Sequence, residues 1–336
     1  MGRSPLDLAL FVGKRLLQLI PVLFGIIVLT FVFTHIAASN PCAIWFPKNA
    51  VGPREACEAS FAQPLYHQFY VYFVNLLSGN WGASVSGTQV LPVIALATPE
   101  TIELVLAALF LMIVIGIPLG VLAAQSNGRL VDHLVRVFYL SGWATPTYLG
   151  AVVAVIFLGP FLGLPTRGDF TTPPPFAQPT HMSVLDALLA GNLPWTLNAV
   201  EHLILPASVL AFLNLGIATR MTRSSMLSVL PLDYVKTARM KGLAEGWVLY
   251  KHALRNALIT TTTVLGVTAG GLLSGTVVVE EVFAWPGIGS YAYAAITEYN
   301  FDGAIAVVIV YAVGVVIANL IADILYGVLD PKVEWR

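Results

Sequence analysis

The chain has 336 residues, of which 57% are hydrophobic and only 10% are charged, and its formal net charge at pH 7 is −1. Soluble proteins carry about 25% charged residues, so this composition excludes a water-facing surface around most of the chain and indicates that lipid is its main solvent. The near-zero net charge does not point to nucleic acid as a partner. The positions of the charges along the chain are more informative than their sum.

The first element in chain order is an uncharged run from Leu16 to about Ala38, preceded by a basic segment with Arg3, Lys14 and Arg15. A basic segment before an apolar run is also found in cleaved signal peptides. The apolar core of a signal peptide, however, has only about 7–15 residues, and this run is longer. Residues 1–38 are therefore predicted to form a short basic terminus and a retained first transmembrane helix.

Residues 39–98 are polar, rich in proline and predicted to form a large, irregular loop outside the membrane. They contain Cys42 and Cys57, the only two cysteines of the chain. Two cysteines confined to one such loop favour a disulfide, which would contribute about 3 kcal/mol in the chain-entropy model. The alternative is that they are two unrelated small residues. A metal site is not expected, because the loop has neither a CxxC pair nor histidines at ligand spacing.

Residues 99–336 are predicted to form a core of five further helices, which makes the chain an all-α membrane protein with six transmembrane helices. Each apolar run is long enough for a hydrocarbon layer of about 30 Å. A short surface helix is expected at Val184–Leu189, between two of the runs. The predicted spans of this core are Ile102–Ala124, Leu134–Leu158, Leu203–Met221, Ile259–Val279 and Ala304–Leu329.

The basic residues give the chain a predicted orientation, because cytoplasmic segments of membrane proteins are enriched in Lys and Arg. With both termini inside, the cytoplasmic segments are 1–15, 125–136, 220–258 and 330–336. These four segments hold 14 of the 17 basic residues. The expected location is therefore a cell membrane that the chain crosses several times, with lipid around it.

No catalytic site is predicted. The sequence has no GxxxxGK[ST] loop for phosphates, no HExxH and no GxSxG. Glu103, Glu201 and Asp323 are expected near the ends of spans, in reach of water. One alternative is a secondary transporter that works without partner subunits. Such a transporter usually buries carboxylates at the middle of the membrane, and the sequence predicts none there, which weakens this alternative. In the fifth span, the spacing of Gly266-xxx-Gly270 and Gly271-xxx-Gly275 is typical of a close helix contact, and the alternative is that glycine is simply common in membrane helices.

The segment 220–258 is the only long basic stretch in the chain, with seven Lys or Arg residues. Within it, Leu232–Lys241 is predicted to form a short amphipathic helix with Tyr234, Ala238 and the stem of Lys241 along one side. Gly242 is expected to end this helix. Such a helix could bind in a groove of another protein, or it could bind the surface of anionic lipid. Composition alone does not decide between these two alternatives.

Residues 233–259, DYVKTARMKGLAEGWVLYKHALRNALI, resemble the signature loop of the inner-membrane permease subunits of ABC importers, in the branch that handles dipeptides, oligopeptides and nickel. The general pattern is EAA, three residues, then Gly. Ala238 and Gly242 match it, whereas Lys236 stands at the acidic position, as is usual in the peptide branch. Thr260 replaces a proline that often follows in that branch.

The resemblance extends over nearly the whole chain, and the long first outer loop is similar to that of the B-type member of a permease pair. Trp81 stands where the family more often has Leu. The other matching stretches are 14–16 with Pro21, GNWGAS at 79–84, PETIEL at 99–104 and VEEVFAWPGIG at 279–289.

The resemblance implies the type I ABC importer permease fold and a set of partners. Two permeases would form the pathway, two ATPase subunits would use ATP and Mg²⁺, and an extracytoplasmic binding protein would deliver the solute. This chain would bind no cofactor itself. The substrate would be a peptide, with an oligosaccharide or nickel as alternatives. A different function, that of a membrane scaffold subunit that transports nothing, is a further alternative. The residues implied to contact the ATPase are Leu232, Asp233, Tyr234, Thr237, Ala238, Arg239, Lys241 and Gly242.

A second group of residues, Glu280, Glu281 and Trp285-Pro286-Gly287, follows the fifth predicted span. One hypothesis is that they form an outer gate or line the exit from the binding protein. The other, which we favour, is a turn that satisfies backbone groups at the end of that helix.

Overall fold

The computed structural model describes residues 5–37, 55, 58–59, 61–84 and 87–329. The predicted disulfide between Cys42 and Cys57 lies outside the described residues.

Most of the described residues are helical. The helices, in chain order, are α1 (Pro5–Ala37), α2 (Leu65–Leu77), α3 (Val90–Gln125), α4 (Leu130–Ala144), α5 (Thr147–Leu162, with a π turn at Ala154–Leu158), α6 (Ser183–Leu189), α7 (Leu193–Val229), α8 (Asp233–Met240), α9 (Glu245–Phe283, with a π turn at Val248–Ala253), α10 (Ile288–Thr297) and α11 (Phe301–Leu329).

Five helices, α1, α3, α7, α9 and α11, are long and apolar enough to cross a membrane. The predicted third span, Leu134–Leu158, is not one straight helix. Its residues belong to α4 and α5, whose axes differ by 104°. The break lies at Thr145 and Pro146, where Thr145 is extended with φ −83° and ψ 123°. Proline disfavours a helical conformation in the residue before it and has no N–H to continue the helix, which accounts for the bend.

Helix α7 is the centre of the bundle. It packs most extensively against α3, and also against α9 and α4, and 72% of its most apolar window is buried. Helix α9 packs in turn against α11, and α11 against α1. Only 11% of the α1 window is buried, so α1 presents most of its apolar surface to the surroundings of the bundle.

Helices α3 and α7 run in the same direction. Val121 and Ala124, near the end of α3, share a buried cluster with Met226 and Val229, near the end of α7. Glu103, near the start of α3, contacts the backbone of α6, just before α7 begins. The bent pair α4–α5 and the loop after it therefore carry the chain from one end of the bundle to the other, as one crossing. We call the end formed by residues 125–136 and 220–258 the basic end, and the other the acidic end.

The acidic end is more helical than the sequence indicated. The predicted irregular loop contains α2, which packs on α1 through Phe31 and Phe69, with ring centroids 5.2 Å apart. Helix α3 starts at Val90, well before the predicted start at Ile102. The sequence obscured this start because Pro99, Glu100 and Glu103 interrupt the apolar pattern. The short helix predicted at Val184–Leu189 is found at Ser183–Leu189.

The fifth span contains one of the two predicted close contacts. A β-carbon at Gly266 would overlap the side chain of Ala322 on α11. Gly270 lies beside Ala318, at ordinary van der Waals distance from the position of a β-carbon. Gly271 faces open space, and a β-carbon at Gly275 would meet only the Leu210 side chain, at 3.9 Å, so the second predicted pair does not mark a close contact between helices.

Candidate functional site

Helix α8 lies across the basic end, between α7 and α9. Its bounds, Asp233–Met240, match the predicted helix, with Leu232 and Lys241 as the flanking residues. Asp233 in the first turn and Arg239 in the last turn have the charges that suit the helix dipole. Gly242 has a φ of +74°, and its N–H donates to the Arg239 carbonyl over 2.9 Å. Glycine adopts this left-handed conformation without strain, so Gly242 ends the helix as predicted.

The inward face of α8 is formed by Val235 and Ala238, which are 0% and 5% exposed. The sequence placed Tyr234 and Ala238 along one side, and at a spacing of four residues they are neighbours on the helix. Only Ala238 is buried, because Tyr234 is 42% exposed. The two inward residues belong to an apolar cluster that joins α8 to the ends of α3 and α7 and to the start of α9. The buried members of this cluster are Val121, Ala124, Met226, Val229, Val235, Ala238, Val248, Leu249, Ala253, Leu254 and Ala257.

The outward face of α8 holds all but one of the residues implied to contact an ATPase. The exception is Ala238, which packs inside the protein. Two ion pairs cross the exposed surface. Lys236 lies 3.0 Å from Asp233, and both Nε and Nη2 of Arg239 contact the Glu245 carboxylate, at 3.2 and 2.8 Å. The hydrogen bond to Glu245 raises the pKa of Arg239 further above its usual value. Exposed pairs of this kind contribute little to stability, so this face is free to exchange partners.

The exposed surface continues onto the first turns of α9, which the sequence analysis did not single out. Trp247 and Tyr250 are 59% and 53% exposed, and the Lys251 ammonium lies 4.5 Å from the centroid of the Trp247 ring. Exposed tryptophan and tyrosine side chains are among the types enriched at protein interfaces. The aromatic residues after Gly246, in a basic segment, were the available signal. We call the exposed residues Leu232, Tyr234, Lys236, Thr237, Met240, Trp247 and Tyr250 the basic-end face.

A buried charge network fixes the basic end close to α8. Asp132 at the start of α4 is fully buried and accepts hydrogen bonds from Arg223 of α7, at 2.7 and 2.8 Å, and from Arg136, at 3.2 Å. Arg223 also donates to the side chain of Asn127, over 2.9 Å. Sequence reasoning counted these arginines only toward orientation. The signal that could have identified this network is Asp132, a single Asp among basic residues at the start of a helix.

At the acidic end, Glu280 organises the turn after α9. Its side chain is fully buried. One carboxylate oxygen accepts from Thr101 over 2.8 Å, and the other accepts from the N–H groups of Gly289 and Ser290, at 2.6 and 3.1 Å. The last two belong to the first turn of α10, where a negative charge is favourable. Glu280 thus joins α9, α10 and α3.

The other residues of this turn divide by exposure. Trp285 is 0% exposed, and its indole N–H donates to the Glu100 carbonyl over 3.1 Å. Gly287 is buried against the Glu280 carboxylate. Glu281 and Pro286 are exposed, so a direct contact with a partner is open to them. These placements do not test the outer-gate hypothesis, which stays a prediction.

Two further carboxylates of α3 are buried next to this turn. Glu103 is 9% exposed, and its carboxylate accepts from the N–H groups of Val184 and Leu185 at the start of α6. Glu100 is 5% exposed and accepts from the Ser183 hydroxyl over 2.7 Å. The expectation that Glu103 lies in reach of water is therefore corrected, since the side chain is buried against α6. In the described ranges, no group of three His, Cys, Asp or Glu side chains has the arrangement of a metal site.

Comparisons with known proteins agree with the motif analysis. A family model described as binding-protein-dependent transport system inner membrane component matches residues 116–335. The probable D,D-dipeptide transport system permease protein DdpB of Escherichia coli is 40% identical, over 95% of this chain and 96% of that protein. The di/tripeptide transport system permease protein DppB of Pseudomonas aeruginosa is 37% identical, over 97% and 99%. The oligopeptide transport system permease protein AppB of Bacillus subtilis is 35% identical, over 98% and 100%.

Among solved structures, a chain from inward-facing conformations of the MetNI methionine ABC transporter has a TM-score of 0.51. It is 16% identical, and the match covers 69% of this chain and 93% of that chain. This likeness concerns the fold alone. Together with the near full-length relatives, it confirms the resemblance to ABC importer permeases that residues 233–259 predicted. The chain belongs to the family of binding-protein-dependent transport system inner membrane components.

Proposed function

We propose that the chain is one of two permease subunits in an ATP-driven importer, and that it forms half of a pathway for peptides that a binding protein delivers. Two separate ATPase subunits use ATP and Mg²⁺, and this chain binds neither. The observation that carries the proposal is the attachment of α8. Its inward residues Val235 and Ala238 are buried among the ends of α3, α7 and α9, while its other faces are exposed.

This attachment suits α8 for transmitting movement. Close-packed apolar clusters resist deformation, so a displacement of α8 carries the ends of the three attached helices with it. The ion pair of Asp132 and Arg223 adds α4 to the same unit. An ATPase that binds the basic-end face and moves on ATP binding would therefore rock four helices together. Ala238 takes part by packing, whereas Thr237, Tyr234 and the flanking Leu232 and Lys241 meet the ATPase.

We place the basic end in the cytoplasm, with both termini on that side. This rests on the share of Lys and Arg in segments 1–15, 125–136, 220–258 and 330–336. A cysteine-free chain with Lys236→Cys or Tyr299→Cys tests it in intact cells with a membrane-impermeant maleimide. The Tyr299→Cys chain should be labelled in intact cells, and the Lys236→Cys chain only after the cells are opened. Labelling of Lys236→Cys in intact cells would reverse the orientation.

The choice of peptides as substrate rests on the relatives, whose names specify dipeptides, di/tripeptides and oligopeptides. The complete complex in vesicles, with its binding protein, should take up a labelled dipeptide on addition of ATP. Labelled maltotriose and Ni²⁺ are the comparison solutes. ATP-dependent uptake of one of these in place of the dipeptide would keep the importer function and change the substrate.

The coupling role is tested with a bulky substitution on the exposed face of α8. Thr237 is exposed, and its side chain makes only a local hydrogen bond to the Asp233 carbonyl. Thr237→Trp should therefore leave the fold intact and abolish both co-purification of the ATPase subunits and peptide uptake. Arg129→Trp places the same bulk at an exposed position of the 126–129 turn, and should retain both. If Thr237→Trp retains ATPase binding and uptake, α8 is not the coupling element.

A further inference from the structure

A cavity at the acidic end has no role in the proposed function. It lies between α2, the turn that follows α2, and the start of α11. Its volume is about 160 Å³, and it is partly open to the outside. Asn80 at its rim is exposed, whereas Ala306 at its base is buried. The residues that line it are Tyr72, Asn75, Leu76, Asn80, Trp81, Gly82, Asp302, Ile305 and Ala306.

The charged group of this cavity is the carboxylate of Asp302. One of its oxygens accepts a hydrogen bond from the backbone N–H of Ala83 over 3.3 Å. No ion pair involves Asp302 within the described ranges of the chain. Gly82 packs directly against this carboxylate, and a β-carbon at Gly82 would overlap it. The turn thus closes over Asp302 and holds it against the cavity, with one oxygen left for another donor.

Two of the remaining polar groups of the cavity are already paired. The Tyr72 hydroxyl is 3.2 Å from the hydroxyl of Thr30, and the Trp81 indole N–H donates to the Leu76 carbonyl over 3.1 Å. Both rings therefore act as walls. Asn75 and Asn80 contribute side-chain amides, each with an acceptor oxygen and donor N–H groups, and the oxygen of Asn80 also accepts from the Gly82 N–H over 3.4 Å. One carboxylate and two amides remain to bind a ligand.

We propose that this cavity binds a primary ammonium group. Such a group has three N–H donors and no acceptor, which matches the carboxylate of Asp302 and the amide oxygens of Asn75 and Asn80. An anion would be repelled by Asp302. A quaternary ammonium has no N–H to donate and would leave the carboxylate unsatisfied. The volume is close to that of an engineered cavity of about 150 Å³ that binds benzene, so the ligand contributes an ammonium with a few carbon atoms.

Two sources can supply this group. Asp302 is the second residue of α11, a candidate membrane span. On α2, Tyr66 and Tyr70 are 77% and 64% exposed, and tyrosine is enriched at membrane–water interfaces. An ethanolamine headgroup of a lipid next to α11 would place its ammonium at this level of the membrane. A free amine, such as the amino terminus of a short peptide, would reach the same cavity from water.

The test measures ligand retention by the purified complete complex with native mass spectrometry. One arm offers phosphatidylethanolamine and phosphatidylcholine with the same acyl chains, and the other offers free ethanolamine and glycylglycine. The variants are Asp302→Asn, which keeps an acceptor for Ala83, and Asn75→Leu, which leaves Asp302 in place. Glu298→Gln is the matched control, because Glu298 is an exposed acid of the same end.

Preferential retention of phosphatidylethanolamine, reduced roughly tenfold by Asp302→Asn and unchanged by Glu298→Gln, identifies a lipid headgroup as the ligand. Retention of ethanolamine or glycylglycine with the same dependence on Asp302, without a lipid preference, identifies a soluble amine. Asn75→Leu should weaken whichever is bound. Equal retention of both lipids and of neither amine by the wild-type complex, or retention insensitive to Asp302→Asn, would overturn the proposal.

Discussion

Asp132 and Arg223 form an ion pair in which the Asp132 side chain is fully buried and the Arg223 side chain is 20% exposed. The pair joins the start of α4 to the end of α7 at the basic end, next to the cluster that holds α8. Three N–H groups of Arg223 and Arg136 and the backbone N–H of Gly128 converge on this one carboxylate. This carboxylate therefore connects α4 directly to the part of the bundle that carries α8.

Asp132→Asn should destabilise the protein by about 2 kcal/mol, because it removes the charge that compensates a partly buried arginine. The measurement is thermal unfolding of the purified complex in detergent. Asp233→Asn is the matched control, since Asp233 also pairs with a basic residue but its side chain is 96% exposed. No measurable change is expected there. Equal effects of the two substitutions would show that the buried pair has no special contribution.

Gly242→Ala should cause a large loss of peptide uptake but only a small loss of unfolding free energy. The φ of +74° makes alanine strained by about 1 kcal/mol, although no atom lies within 4 Å of the new β-carbon. Gly163 has a similar conformation, with φ +68° and equally open surroundings, but follows the last residue of α5, away from the basic end. Gly163→Ala should have a similar effect on unfolding and leave uptake unchanged. Parallel losses of uptake in both variants would contradict the coupling role of the 232–242 segment.

The elements that repeat a local pattern were predictable from the sequence. The apolar runs gave the approximate positions of the spans, and the residues of α8 and its glycine stop followed from local signals. The bend at Thr145 and Pro146 was not predicted, because membrane helices often tolerate a proline. Pro146 accounts for the break, whereas the size of its angle, 104°, depends on how α4 and α5 pack against helices distant in the sequence.

The buried carboxylates were beyond sequence reasoning for a related reason. Three of these residues, Glu100, Glu103 and Glu280, interrupt apolar runs. In a sequence without a structure, a carboxylate at such a position predicts the end of a helix in contact with water. Their burial depends on donors from other segments, such as Ser183, which is 83 residues away from Glu100 in the chain. The exposure of Tyr234 did not follow from its position beside Ala238, because α8 spans only two turns and the helices that pack against it decide which residues are buried.

Gly266→Ala should destabilise the contact between α9 and α11, because the new methyl would overlap Ala322. Insertion of a methyl group into a close contact costs about 1–3 kcal/mol. The reciprocal double variant, Gly266→Ala with Ala322→Gly, should recover part of this loss. Gly271→Ala is the control within the same helix, where open space and the higher helix propensity of alanine predict no loss. Destabilisation by Gly271→Ala and none by Gly266→Ala would contradict this packing. The measurement is thermal unfolding in detergent.

Substitutions of Glu280 separate the two hypotheses for the 284–287 turn. Glu280→Ala leaves the N–H groups of Gly289 and Ser290 without acceptors inside the protein, so a loss of at least about 2 kcal/mol in unfolding free energy is expected. Glu280→Gln keeps an amide oxygen for these donors and should retain most of the stability. If the turn is structural, Glu280→Gln also retains peptide uptake. A stable Glu280→Gln protein with lost uptake would assign the charge a direct role in gating.

Glu281→Ala changes an exposed position of the same turn and should leave the free energy of unfolding unchanged. The same variant tests whether this end of the protein contacts the binding protein. If Glu281 is a contact residue, Glu281→Ala reduces peptide uptake while the fold keeps its stability.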